Sequence, residues 1–242
     1  MGSILCELRA EIEKNIDQHT KKSSQRYFKE RIRVYGVKTG VISRIAQDYF
    51  FKIKDLGKRG IYLLCEELFE SGMLEESFIA CKWSEYVKDY DEEDFLLFER
   101  WVDTYVNNWA TCDTLCNHTV GYFIMTYPEY VERLIWWAKS ENMWMRRAAA
   151  VSLIIPAKTG LFLDEAFKIA DTLMGDEEDL VQKGFGWLLK EESRTKQREV
   201  YDYVLARRSV MPRTALRYAI ELMPQELRRE AMKRVAASED LI

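Results

Sequence analysis

The stretch NNWATCDTLC, residues 107–116, sets Trp109 and Asp113 four residues apart. On a helix that spacing puts both side chains on one face. An indole ring draws positive charge through its quadrupole, worth ~0.5–2 kcal/mol per contact. A fixed carboxylate stabilises positive charge that develops beside it where water is partly excluded. The pair therefore suits a cationic ligand or a cationic transition state. The same residues admit a plainer reading, in which Trp109 packs and Asp113 caps a helix starting TLCNH. Cys112, Cys116 and His118 lie close by, but C-x3-C-x-H is not a common zinc spacing and no second cluster supplies the missing ligand, so no metal is expected. Without a Ser-His-Asp set, a P-loop or a GxGxxG motif, no nucleotide or redox cofactor is expected either.

Further along the chain, Trp187 in KGFGWLLKEE follows Lys183 by four residues. Its indole belongs either to a core or to a groove. Arg146 and Arg147 in MWMRRAAAV are consecutive and point about 100° apart on a helix, so one can face solvent while the other faces a groove. A planar guanidinium held there clamps two phosphate oxygens. Arg213 and Arg217 are one helical turn apart and form a basic stripe; with Lys183 and Arg147 they put positive charge on successive segments. Taken singly, each reads as ordinary surface charge.

These residues need elements to hold them, and the composition says which. The chain has 242 residues, 48% hydrophobic, with only 4 Pro and 11 Gly, which fits a helix-rich protein with a sizeable core. Five Cys without framework spacing point to reduced thiols, hence to a cytoplasmic protein. There is no secretory h-region, the N-terminus lacks the Ser or Thr of a myristoylation site, and apolar runs such as AAAVSLII are too short to span a bilayer. The net charge of -4 hides an uneven distribution. Residues 1–60 hold 14 Lys/Arg against 7 Asp/Glu, and residues 61–140 hold 5 against 16. A basic face for phosphates is thus compatible with an acidic total.

Helical periodicity dominates. The pattern predicts helices over 4–19, 24–34, 39–53, 57–72, 75–89, 92–108, 112–126, 128–140, 143–157, 161–174, 178–192, 196–208, 213–223 and 225–236, punctuated by Gly and Pro near their ends. RRAAAVSLIIPAK from 146, LVQKGFGWLLKEE from 180 and PRTALRYAIELMP from 212 echo one another about every 32 to 34 residues. That is the signature of paired helices stacked into an all-α solenoid of the HEAT or armadillo kind, read as one domain over 1–242 with a concave groove. The alternative is a generic helical bundle.

Together these segments resemble the AlkD-like family of HEAT-repeat DNA alkylation repair glycosylases. RYFKERIRVYGVKTGVISRIA (26–46), NNWATCD, WAKSENMWMRRAAAV and VQKGFGWLLKEESRT are similar, in order, to the family's N-terminal segment, its Trp-x3-Asp, its Trp-x-x-Arg-Ala-Ala and its Gly-Trp-x-Leu-Arg-Glu segments. The resemblance implies that Asp113 is the catalytic carboxylate, that Trp109 and Trp187 flank the lesion, and that Arg147 rather than Arg146 binds phosphate. It also implies that Tyr27 is a further groove residue; Lys38 and the basic stripe of Lys183, Arg213 and Arg217 are expected to contact DNA beside it. Ala110 and Lys190 depart from the family pattern, which often has Asp and Arg there. The implied partner is duplex DNA with alkylated bases, bound by a monomer without a cofactor and without extruding the base into a pocket. The implied reaction removes alkylpurines of the 3-methyladenine and 7-methylguanine type. Because such a base already carries a positive charge, no general acid is needed. What remains is to stabilise the oxocarbenium-like sugar. The alternatives are a non-catalytic DNA-binding relative of the same fold and a helical protein scaffold.

Overall fold

The amphipathic segments read above form helices of the expected kind. The computed structural model describes residues 2–233, and the chain divides into two units, Met1–Phe123 and Ile124–Ile242. The first contains α1 (Gly2–Lys14), α2 (Gln18–Tyr27), α3 (Thr39–Ile53), α4 (Gly57–Glu70), α5 (Leu74–Val87), α6 (Asp94–Tyr105) and α7 (Trp109–Thr114). From α7 the backbone continues through a π-helical turn, Leu115–Val120, into α8 (Gly121–Thr126). The second contains α9 (Val131–Trp137), α10 (Met143–Val151), α11 (Ile154–Lys158), α12 (Leu163–Thr172), α13 (Asp179–Glu192), α14 (Gln197–Arg207), α15 (Arg213–Ala219) and α16 (Gln225–Met232). No helix among the described residues is long and apolar enough to cross a membrane.

Each unit is a two-layer stack of helix pairs. In the first, α3 packs on α1 and α5, and α5 on α7 and the π turn, while α4 and α6 cover them. Its core is aromatic: Trp83, Phe95, Phe98, Trp101 and Phe123 are fully buried, each stabilising the unit by roughly 1.5–3 kcal/mol or more. Buried Trp83 donates its indole N–H to the Ala46 carbonyl at 2.8 Å, which ties α5 to α3. In the second unit the three echoing segments are neighbours in space. α10 packs on α13 and α13 on α15, with α9, α12 and α14 as their partners. Small residues make this stack tight. Ala148, Ala149 and Ala150 are fully buried on α10. A Cβ on Gly186 would meet the Ala215 carbonyl oxygen of α15 at 2.7 Å.

Several boundaries differ from the sequence reading. The predicted helix 4–19 ends at Lys14, because Asp17 starts a new one by accepting the Thr20 N–H at 2.6 Å. The predicted helix 24–34 is instead the end of α2 followed by an extended strand-like segment. Arg33 and Met73 form an isolated bridge, and the Leu74 N–H donates to the Arg33 carbonyl at 2.9 Å. The predicted helix 143–157 is broken at Ser152–Leu153 into α10 and α11. The end of the predicted helix 225–236 lies outside the described residues.

Candidate functional site

α7 starts on the first residue of the pair it carries, Trp109. Asn108, 3% exposed, takes the N-cap position and accepts the Thr111 N–H at 2.9 Å, satisfying one of the helix's orphan donors. The cap reading of Asp113 is thereby overturned: Asp113 sits inside α7, half-buried, one turn beyond Trp109 and on the same face. The π-helical turn follows at once, a distortion often found beside functional sites.

The indole of Trp109 is held by two rings from the end of α2. Phe28 stacks on it with centroids 5.3 Å apart and planes at 18°. Tyr27, 71% exposed, meets it edge-on at 5.8 Å. Both geometries are the favourable ones for aromatic pairs. The extended segment after Phe28 is fixed by Glu75 of α5, which is 6% exposed. Its carboxylate accepts N–H groups of Tyr35 (3.0 Å), Gly36 (2.7 Å) and Val37 (3.1 Å). Neighbouring Glu76 accepts the Tyr35 hydroxyl at 2.6 Å and pairs with Arg9 at 3.0 Å. Gly36 is required here: its φ is +96°, and a Cβ would lie 2.5 Å from that of Lys21 in α2. This anchoring brings exposed Lys38 to the start of α3, and Tyr27, Phe28, Lys38, Glu75 and Trp109 line one cavity of about 550 Å³. Of the residues picked from sequence in this unit, Tyr27, Lys38 and Trp109 meet there.

In the second unit Arg147 is 5% exposed and donates from Nη1 to the Leu180 carbonyl, stapling α10 to α13 against Gly184. Arg146 has a different environment, pairing with Asp176 at 2.5 Å and donating to the carbonyls of Ser140 and Glu141. Trp187 is half-buried and donates its N–H to Glu191 at 3.1 Å. Burial pushes the Glu191 carboxyl up, but hydrogen bonds from Arg194 and Trp187 outweigh it and hold the group below the ordinary range. Lys183 pairs with Asp179 at 2.7 Å, and that bond raises its pKa. Arg213 and Arg217 are exposed one turn apart on α15, with Arg213 reaching the Met232 carbonyl at 3.3 Å. Cys112 and Cys116 are buried in the first unit's core, and His118 lies 3.6 Å from Glu85. Among the described residues no group of three His, Cys, Asp or Glu side chains is placed to hold a metal ion.

The family model for DNA alkylation repair enzymes matches residues 8–223. The chain belongs to the DNA alkylation repair enzyme family. No curated protein matches it in sequence. Among solved structures, it resembles a predicted DNA alkylation repair enzyme from Enterococcus faecalis, with a TM-score of 0.77 and 17% identity over 86% of this chain and 97% of that one. At that identity the likeness speaks for the fold, an all-α stack of helix pairs. Membership in a DNA alkylation repair family makes DNA the partner and repair of alkylated DNA the role.

Within this family member, Phe28, Glu75 and Asn108 hold the Trp109 environment together, and none was singled out by sequence. Phe28 had one available signal, its position beside Tyr27. Glu75 had none, because its partners are backbone N–H groups 38–40 residues away.

Proposed function

We propose that this protein is a DNA glycosylase that releases positively charged alkylpurines from duplex DNA. The observation that carries the proposal is the Trp109–Asp113 face of α7, a half-buried carboxylate one turn from an indole that two further rings hold in place. An alkylpurine cation has a weakened glycosidic bond. As it departs, the sugar becomes an oxocarbenium ion, and the Asp113 carboxylate stabilises that charge and orients the attacking water. Trp109 favours the cationic lesion over a neutral base through its ring quadrupole. Lys38, Lys183, Arg213 and Arg217 contribute phosphate contacts that set register without reading sequence. Arg147 and Trp187 keep the roles the resemblance implies, phosphate binding and contact with the lesion.

The test is single-turnover release of 7-methylguanine from methylated duplex, comparing the wild type with Asp113→Asn. The account expects release by the wild type and a loss of at least about 100-fold in the variant, the scale of removing one preorganised electrostatic group, with duplex affinity little changed. Equal rates in the two proteins sink the role given to Asp113. A wild type that binds duplex but releases nothing returns the chain to the non-catalytic reading.

A further inference from the structure

An ordinary surface helix turns an apolar stripe inward. α2 does not, and none of its residues is buried. The stripe facing the 550 Å³ cavity is Thr20, Ser23, Ser24 and Tyr27, at i, i+3, i+4 and i+7, and every member carries a hydroxyl. The opposite wall is apolar, built from Val37, Ile42, Leu74 and Phe78, and the rings of Phe28 and Trp109 also line the space. Two charged side chains take part. Lys38 is exposed, and the oxygens of Glu75 already accept three backbone N–H groups. Asp113 is not one of the lining residues. The volume falls in the range of small-molecule sites, ~300–1,000 Å³, and the mixture of flat apolar walls with a few hydroxyls is the usual composition of such sites.

We infer that this cavity binds a neutral planar nitrogen heterocycle and that, on the glycosylase reading on which this part rests, the heterocycle is the excised purine. When the glycosidic bond breaks, its electron pair leaves with the base nitrogen and cancels the positive charge of the base. Water adds its oxygen to C1′ and gives up a proton. The base is then neutral, and the field of Asp113 no longer favours it. Immediately beside that face, Trp109, Ala110, Thr111 and Thr114 of the same helix open onto the cavity. There the ring lies against apolar and aromatic walls, and hydroxyls that both donate and accept satisfy its ring nitrogens and amino group. Trp109 serves first the cation and then the released base.

The test titrates free 3-methyladenine into the full chain by calorimetry and ligand-observed NMR. Ser24→Phe fills the cavity. Thr20→Val with Ser24→Ala removes hydroxyls without filling it. Circular dichroism checks that each variant is folded. The expected result is saturable binding by the wild type, about tenfold or more weaker in Ser24→Phe and about 3- to 10-fold weaker in the double variant, the scale of one lost net hydrogen bond. The permanently cationic 3,9-dimethyladeninium binds more weakly than 3-methyladenine. No saturable binding by the wild type, equal affinity in the folded variants, or preference for the cation overturns the inference. Binding of the free base without base release from DNA keeps the site and retires the glycosylase reading. Base release without binding retires the site alone.

Discussion

Replacing Glu75 by Gln changes one atom and tests how the Trp109 environment is held. The carboxylate accepts from Gly36 and Val37 through Oε1 and from Tyr35 through Oε2. A glutamine can keep its carbonyl oxygen toward Gly36 and Val37, but its NH2 then faces the Tyr35 N–H, donor against donor. A buried donor without a partner costs ~1–3 kcal/mol, and charge-assisted bonds to the remaining two N–H groups weaken to neutral ones. The local loss is therefore about 2–3 kcal/mol. Because the chain has two units, a global unfolding energy mixes both, so the local observable is better. Hydrogen exchange at the amides of Tyr35, Gly36 and Val37 should accelerate by roughly 30- to 150-fold, at ~1.4 kcal/mol per tenfold. Amides of α13 should be untouched. Unchanged protection at residues 35–37 in Glu75→Gln would refute the reasoning that this carboxylate fixes the extended segment.

Two further predictions concern the second unit. In an open helix Gly→Ala stabilises by ~1 kcal/mol, but Gly186→Ala puts a Cβ against the α15 backbone and overpacks it at ~1–3 kcal/mol. The net is a loss, read as a lower urea midpoint, whereas Gly184→Ala, whose Cβ finds only ordinary contacts at 3.5–3.7 Å, is tolerated; a stabilised Gly186→Ala contradicts the packing. Glu192 is 0% exposed with neither oxygen hydrogen-bonded, and burial pushes its carboxyl up from 4.5 to about 8, with Lys196 opposing and Glu165 adding. Since the folded pKa is the higher one, this group's contribution is fully present below about 4.5 and is lost as pH rises toward 8, at up to ~1.4 kcal/mol per unit. Glu192→Gln should therefore gain stability over the wild type between pH 5 and pH 8, and parallel pH profiles for the two proteins would count against a buried neutral carboxyl.

Much of the architecture was legible because helical periodicity and glycine or proline punctuation are local signals. The three echoing segments from 146, 180 and 212 do pack as successive neighbours, α10 on α13 on α15. The failures have physical causes. The segment after Phe28 was read as helix along with the rest of the chain's helical periodicity. What decides otherwise is the long-range acceptor Glu75, together with a period-2 alternation at Ile32 and Val34 that a longer helical pattern masked. Asp113 was readable as a cap, because Asp is a good cap, until Asn108 claimed that position. At the site, the types and spacing of Trp109 and Asp113 could be read from the chain. The stacking of Phe28 on Trp109 and the cavity beside the hydroxyl face of α2 arise only once distant residues meet. Arg147 was readable as a cation on α10, but not as one whose Nη1 holds the Leu180 carbonyl.

The central claim is that the Asp113 carboxylate stabilises a positively charged sugar. Its most direct measurement is the affinity of the protein for duplex DNA carrying a protonated pyrrolidine in place of one deoxyribose, against a neutral tetrahydrofuran at the same place. Unit charges ~4 Å apart in a partly buried site interact by up to ~4 kcal/mol, so a preference of at least about tenfold for the cation is expected in the wild type, reduced to near unity in Asp113→Asn. Equal affinity of the wild type for the two duplexes, or a cation preference that survives Asp113→Asn, would contradict the account.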